Sequence, residues 1–275
     1  MFARQIAIVP DGSVDVSGSE LSRVGAALQK QVARDFAPIW RRRASVDAFP
    51  SLEDVPLGYW PVVIVRDVRN AAGVHLDNNG QPFALVEFGP DWSLTASHET
   101  LEMLADPFGS RLVAGQSPKR GQGRVEFLVE VCDPCEAGEY AYSVNGLLVS
   151  DFYTPHFLDP VSAGAVRYSF TGAITAPRRV LPGGYLSWLE PVSGEWWQLQ
   201  YFGEKRFVSL GRLAMEDPRP PREFVNEKTP EPLAALRRGV QRTDELKELL
   251  QEGTATDQRR AKAEGLRSHI RRLTS

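Results

Sequence analysis

The sequence predicts an α+β fold, and three observations support this class. Short apolar runs and a helical stripe share the first 107 residues, hairpin signals fill the middle of the chain, and helical spacing returns near its end. The 275 residues are 42% hydrophobic and 24% charged. This length and composition are typical of a globular protein that buries a sizeable core.

Three apolar runs in the first part of the chain predict strands: RQIAIV at residues 4–9, YWPVVIV at 59–65 and FALVEF at 83–88. Such runs, bounded by turn-forming residues, are typical of buried strands. Between the first two, apolar side chains recur at helical spacing from Leu21 to Phe36, and Ser19 is positioned to cap that helix. The sequence therefore predicts a sheet with a helix packed on it.

The middle of the chain carries the pattern of antiparallel strands. Residues 124–131 resemble a strand, and Asn145-Gly146 and Ser193-Gly194 mark the turns of two hairpins. Three tryptophans accompany the second hairpin: Trp188, Trp196 and Trp197. We expect them to belong first to the core and second to a binding face, because aromatic residues in strands are usually packed.

The composition changes after residue 216. Residues 217–230 are rich in proline and predict an extended linker. Residues 231–275 predict a helical tail, with a stripe formed by Leu233, Leu236, Val240, Leu246 and Leu250 and then a basic helix over 257–273. An isolated helix is only marginally stable in water, so the tail should pack on a partner helix, on the main domain or on another chain. In the last case the tail would mediate oligomer or partner contacts. The predicted division is 1–216, 217–230 and 231–275.

The most informative stretch is SHETLEMLADP at residues 97–107, on a helix predicted to end near Asp106. His98, Glu102 and Asp106 are spaced four residues apart and share one face of that helix. Two ligands one helical turn apart can hold a metal ion, and a neighbouring carboxylate can take a proton from metal-activated water. The spacing therefore predicts His98 and Glu102 as metal ligands and Glu99 as the general base.

This motif, with the strand–helix–strand–strand order before it, resembles the N-terminal half of the zincin metallopeptidases. In that superfamily a mixed sheet packs on two helices, and an edge strand above the motif helix holds the substrate by main-chain pairing. The resemblance covers residues 4–107 in layout, and only His98 and Glu99 match the motif itself. It implies a zinc peptidase acting on a protein or peptide, with residues 83–88 as the edge strand.

The main departure from that family is Glu102, which stands where a second histidine is expected. A carboxylate binds zinc through oxygen, so the site is retained, but it becomes harder and more anionic. We therefore expect Zn²⁺, with weaker selectivity against iron, manganese or calcium. The continuation found in one branch of the family is absent, since Ala105 and Phe108 occupy its glycine and third-ligand positions.

The sequence leaves the third ligand open. Asp106 is nearest along the helix, Asp133 follows a strand at a turn, and His156 would restore a set of two histidines and one carboxylate. Tyr153 or His156 is a candidate to donate a hydrogen bond to a developing oxyanion. We interpret His75, the remaining histidine before the motif, as a strand-end residue beside a turn.

The two cysteines, Cys132 and Cys135, are separated by two residues. This spacing occurs in redox pairs and in half of a structural zinc site, but no second cysteine pair completes such a site. Three interpretations stay open: plain thiols at a strand end, a metal contact or a labile disulfide.

Global properties narrow the classes of function. The net charge of −3 does not favour binding to nucleic acid, and no apolar run reaches the roughly 18 residues of a membrane span. The N-terminus lacks the pattern of a secretory signal, so we expect a cytoplasmic protein.

Together with the motif at residues 97–107, the sequence predicts a metal-dependent hydrolase. The alternative is an inactive zincin-like scaffold that joins an assembly through its Trp-rich hairpin and tail. Glu99 favours the enzyme, and the missing second histidine favours the scaffold.

Overall fold

A computed structural model describes residues 3–68, 71–229 and 255–274 of the chain. These residues form an α+β fold, as the sequence predicts, with two five-stranded sheets and one short hairpin. The strands are β1 (Arg4–Pro10), β2 (Ala44–Ala48), β3 (Trp60–Val65), β4 (Gly73–Asp77), β5 (Pro82–Glu87), β6 (Leu112–Gln116), β7 (Arg124–Leu128), β8 (Tyr142–Val144), β9 (Leu147–Val149), β10 (Tyr185–Glu190), β11 (Glu195–Phe202) and β12 (Glu204–Arg212). The α-helices are α1 (Gly18–Lys30), α2 (Ala37–Trp40), α3 (Trp92–Ala105), α4 (Pro221–Lys228) and α5 (Ala255–Thr274).

The first sheet is mixed and has the strand order β2-β1-β3-β5-β4. Its strands are parallel except β4, which runs antiparallel to β5 at the edge of the sheet. The expectation that residues 83–88 form the edge strand is therefore wrong. β5 lies inside the sheet, between β3 and β4, and its first five residues are all buried. β4, at the edge, instead alternates between buried and partly exposed residues.

One face of the first sheet packs against α1 and α3. The apolar residues that the sequence placed on α1 are buried in this core, and the helix continues through a π-helical stretch at Gln31–Phe36 into α2. The N-cap is Ser17 rather than Ser19, because the Ser17 hydroxyl accepts a hydrogen bond from the Glu20 amide at 3.2 Å. α3 ends at Ala105, next to its predicted end near Asp106.

The opposite face of this sheet is covered by α5. Leu266, Ile270 and Leu273 of this helix are buried in an apolar cluster with side chains of β1, β3 and β5. Arg267 donates hydrogen bonds to the carbonyl oxygens of Leu52 and Val55. The last part of the predicted tail thus packs on the main fold. The stripe predicted over 231–254 lies outside the described residues.

The second sheet is antiparallel, with the order β12-β11-β10-β7-β6. Both predicted hairpins are present: β10 and β11 pair, and β8 and β9 are joined by Asn145 and Gly146 at φ of 53° and 80°. Positive φ at both positions is the requirement of a type I′ turn. Trp188 and Trp196 are buried, which agrees with their expected place in the core, whereas Trp197 is only partly buried against it.

Residues 221–228 form α4 instead of an extended segment. Pro221 begins the helix, where a missing amide hydrogen costs nothing and the fixed φ is already helical. Phe224 and Val225 then pack against Leu128 and Trp196 of the second sheet. The proline content of this region therefore marks a helix start rather than a linker throughout. Among the described helices, none is long and apolar enough to cross a membrane.

Candidate metal centre

α3 packs on β4 and β5 of the first sheet and on β9, and most of the predicted motif is buried there. Glu99 and Glu102 are 3% and 0% exposed, whereas the side chain of His98 keeps 14% of its surface. A charged carboxylate is rarely found without solvent unless it is paired or bound to a cation. The burial of both glutamates therefore requires nearby positive charge.

His98 joins two carboxylates from different parts of the chain. Its Nε2 atom lies 3.4 Å from Oε1 of Glu102, one helical turn away, and 3.2 Å from Oδ1 of Asp133. Asp133 reaches this position from a 3-10 turn, Asp133–Cys135, which follows β7. Asp133 and Glu136 each offer an oxygen in a group with His98 whose ligand atoms all lie within 4.8 Å. We call His98, Glu102, Asp133 and Glu136 the outer group.

A second set of ligand atoms lies deeper in the protein. Nδ1 of His75, on β4, is 3.5 Å from Oε2 of Glu99 and 3.8 Å from Oε2 of Glu102. Its other ring nitrogen, Nε2, is 3.0 Å from the carbonyl oxygen of Asp106. His75, Glu99 and Glu102, the inner group, are all buried, and their ligand atoms lie within 4.8 Å of one another.

Arg222 of α4 supplies positive charge to the inner group. Its Nη1 donates to Oε2 of Glu102 at 2.7 Å and also contacts Oε2 of Glu130, while Nη2 lies 3.6 Å from Oε2 of Glu99. The two oxygens of Glu102 therefore have different neighbours. Oε2 faces Arg222 and His75, whereas Oε1 faces His98 and accepts a hydrogen bond from the Cys132 amide at 3.1 Å.

These contacts shift the pKa values of the cluster. Burial alone would raise the pKa of Glu102, but the charges of His98 and Arg222 outweigh it and lower that pKa. The pKa of Glu99 is also lowered, because His75, His98 and Arg222 together oppose the effect of burial. Both glutamates are thus held ionised. Burial and the charge of Glu102 raise the pKa of Asp133 to about 7.

The pKa of His98 is raised, whereas those of the two glutamates are lowered. Burial favours the neutral ring, but Glu102 and Asp133 dominate and raise the pKa of His98 well above its usual value. A proton therefore holds the outer group together when no other cation does. A metal ion would have to displace protons from His98 and Asp133, as metal ligands must be deprotonated.

Several buried polar atoms of the cluster have no hydrogen-bond partner among the described residues. They are Nδ1 of His75, Oε2 of Glu99, Oε1 of Glu130, Oδ1 of Asp133, the hydroxyl of Tyr153 and one donor, Nε of Arg222. A buried polar atom without a partner is rare in native proteins, and an ion or water commonly satisfies it. This concentration of unsatisfied atoms around one cluster is the pattern of a cation site.

The structure separates the other predicted site residues. Tyr153 is fully buried, and burial together with the charges of Glu102 and Asp133 raises the pKa of its hydroxyl. Asp106 does not join the cluster, because its carboxylate accepts a hydrogen bond from the Arg111 amide at the end of α3. His156 is also excluded: it lies on the surface, 59% exposed, with Nδ1 2.8 Å from Asp159. Neither residue is placed as a third metal ligand.

The cysteines are buried free thiols, so they form no disulfide. Burial, with the charge of Glu102 for Cys132 and of Asp151 for Cys135, raises both thiol pKa values well above the usual range. Protonated thiols are weak nucleophiles and weak metal ligands. The structure therefore favours the interpretation of two plain thiols, which flank the turn that positions Asp133.

Four members of the cluster were not predicted from the sequence: His75, Glu130, Glu136 and Arg222. Glu130 carried a signal, because it is a lone charge inside the apolar run FLVEV. His75 is interior to β4 and not a strand-end residue; alternation with the apolar Val74 and Leu76 places it on the opposite face of the strand, where the packing of β4 on α3 buries it. Arg222 carried no signal, since it lies in a proline-rich, charged segment.

A scan of protein-family models, a search of curated proteins and a search of solved structures each found no match to this chain.

Proposed function

We propose that this chain is a metal-dependent hydrolase that holds Zn²⁺, or another divalent cation, through His98, Glu102 and Asp133. The observation that carries the proposal is the approach of His98 Nε2 to one oxygen of Glu102 at 3.4 Å and of Asp133 at 3.2 Å. Zinc bonds to nitrogen and oxygen place adjacent ligands of a tetrahedral ion about 3.4 Å apart. Both distances from Nε2 of His98 match this ligand spacing.

The donor set is consistent with a catalytic site rather than a closed structural one. Three protein ligands leave a position for water or substrate, whereas structural zinc sites usually have four. His98 keeps part of its surface exposed, and Glu136 is also partly exposed. We therefore place the opening of the site on the side of His98 and Glu136.

A divalent ion in this site would act as a Lewis acid and lower the pKa of a water molecule. The protein itself must supply the proton acceptor, and we assign this role to Glu99. Its pKa is lowered, so its carboxylate is ionised at neutral pH and can accept a proton. His75 and Arg222, at 3.5 and 3.6 Å from its Oε2 atom, hold it in place.

The arrangement of the first sheet supports a peptide as the substrate. β4 lies at the end of the sheet, runs antiparallel to its neighbour and packs directly on α3. An extended peptide can add to such an edge by main-chain hydrogen bonds. In this proposal β4, and not residues 83–88, is the zincin-like edge strand beside the motif helix.

A non-catalytic metal-binding scaffold is the second candidate, and one observation favours it. The Oε2 atom of Glu99 lies near His75 of the inner group and near the guanidinium of Arg222. A carboxylate that serves only as a partner for buried cations would have such contacts. The two candidates share the metal site and differ in the role of Glu99.

The test measures metal content and hydrolysis in the same preparations. Protein purified without chelator should contain one equivalent of metal by inductively coupled plasma mass spectrometry and should cleave an unfolded, fluorescently labelled protein. His98→Ala should lose both properties, whereas His156→Ala, which removes a surface histidine, should keep both. A wild-type protein without metal would refute the proposal, and metal without cleavage would favour the scaffold.

A further inference from the structure

The inner group is arranged as a cation pocket. Because the Asp106 carbonyl oxygen can only accept a hydrogen bond, Nε2 of His75 carries the ring proton toward it. The other ring nitrogen, Nδ1, faces Oε2 of Glu99 and Oε2 of Glu102 at 3.5 and 3.8 Å. Buried carboxylates that face one another repel unless a positive charge lies between them.

The contact between Nε2 of His75 and the Asp106 carbonyl oxygen resembles the hydrogen bond that metal-bound histidines make. A histidine that binds a metal through one nitrogen commonly donates its other N–H to a backbone carbonyl, which fixes the tautomer. His75 makes such a contact, and its Nδ1 has no hydrogen-bond partner among the described residues. Glu99 contributes a second unpartnered, fully buried atom, Oε2. Both atoms point into the same pocket.

Arg222 already places a cation at this pocket. Its side chain is 4% exposed, and its guanidinium contacts Glu99, Glu102 and Glu130. The position is held by the backbone as well: the Arg222 amide donates to the Gly109 carbonyl at 3.0 Å. A Cβ atom at Gly109 would come within 2.8 Å of the Arg222 Cβ, so glycine permits this close approach.

We propose that Arg222 acts as a built-in cation that keeps a second metal ion out of the His75–Glu99–Glu102 group. In this role it is also a positioning residue, because it holds Oε2 of Glu102 and leaves Oε1 directed to His98. The site then takes one metal ion, in the outer group. This inference rests on the proposed metal site but makes a separate claim about stoichiometry.

The experiment is native mass spectrometry of the full chain titrated with ZnSO4, with Arg222→Met as the main variant. Methionine keeps much of the side-chain volume and removes the charge. We expect wild type to bind one zinc and Arg222→Met to bind two. Adding His75→Gln to Arg222→Met should return the count to one. Arg219→Met is the matched control, because this nearby arginine pairs with Asp217 and Glu227 outside the cluster.

The wild-type count tests the proposed function, and the difference between Arg222→Met and wild type tests the inference. A variant that binds no more zinc than wild type, or a wild type that binds two ions, would overturn the inference. Wild type without zinc and Arg222→Met with one would refute the proposed function and support the exclusion by Arg222.

Loss of Arg222 also leaves buried carboxylates unpaired, so folding is monitored by circular dichroism with and without zinc. If Arg222→Met is unfolded alone, refolding on zinc addition with two ions bound supports the inference. A second variant, Glu130→Gln with Arg222→Met, removes one of the carboxylates that Arg222 contacts and should also bind two ions. Failure of zinc to give a second bound ion in either variant contradicts the inference.

Discussion

Nη1 of Arg222 lies 2.7 Å from Oε2 of Glu102, although 120 residues separate the two in the chain. The contact joins α4 to the motif helix α3 and completes the neutralisation of a carboxylate that is fully buried. Removing one partner of a buried ion pair typically costs about 3–5 kcal/mol, because the other charge is left without compensation. The C-terminal part of the fold and the candidate metal centre are therefore coupled.

Glu99→Gln should keep the metal and the fold but remove hydrolysis. The substitution deletes the proton acceptor and preserves the shape of the side chain, and loss of a general base costs on the order of 100- to 10,000-fold in rate. The measurement is turnover of a peptide substrate, with metal content determined on the same sample. Unchanged turnover at full metal occupancy would show that Glu99 is not the base.

Glu102→His should still bind metal and should prefer zinc more strongly, because it recreates a pair of histidines one helical turn apart. The change also removes the partner of Arg222, so we expect a lower unfolding free energy than in wild type. Competition between Zn²⁺ and Mn²⁺, read by mass spectrometry, measures the preference. A folded variant without metal would mean that Glu102 serves only the ion pair with Arg222.

Gly73→Ala should displace Glu99. A Cβ atom at Gly73 would lie 2.5 Å from Cγ2 of Thr95 and 2.8 Å from Oε1 of Glu99, so α3 and β4 would have to separate or the side chains would have to move. Overpacking of this kind typically costs about 1–3 kcal/mol. We expect both lower stability in urea and lower activity.

Gly89→Ala is the matched control, because a Cβ atom there meets nothing within 4 Å. Equal stability of the two alanine variants would mean that β4 and α3 are not held as closely as the structure describes.

Ile270→Ala should weaken the main fold. Ile270 of α5 is fully buried against the first sheet, and truncation of a buried isoleucine costs about 2–5 kcal/mol. Arg271→Ala, on the same helix, removes only an exposed pair with Glu53 and should cost about 1 kcal/mol or less. Urea unfolding measures both. Similar, small effects would mean that α5 is dispensable for the fold.

The attachment of α5 should weaken as the pH falls. His269 lies edge-on to Phe83 at 5.7 Å between ring centroids, and burial and then the charge of Arg272 lower its pKa below the usual value of 6.5. The detached helix therefore binds more protons in this range, so the full free energy of attachment is present above about pH 6.5 and decreases as the pH falls through the lowered pKa.

Hydrogen exchange of the α5 amides at pH 7.5 and pH 5, corrected for the intrinsic rates, should show this loss. His269→Phe should remove the dependence, because phenylalanine keeps the ring and cannot be protonated. A wild-type α5 that is equally protected at both values would contradict the prediction.

The sequence by itself determined the parts of this protein that depend on local periodicity. Helical spacing placed His98 and Glu102 on one face of α3, and the Asn145-Gly146 turn predicted its hairpin, because both follow from backbone geometry within a few residues. The same reasoning identified the inner strands of the first sheet from their apolar runs, although it assigned the edge position to residues 83–88 instead of β4.

Only the tertiary structure decided which residues meet around the motif. His75, Glu130 and Arg222 reach Glu99 and Glu102 from three separate segments, and no local spacing encodes such an encounter. It follows from the order of strands and from the packing of α4 on the second sheet. The side chains of Asp106 and His156 lie outside the site and instead contact Arg111 and Asp159. Long-range burial of charge, and not the helical motif alone, defines the candidate site.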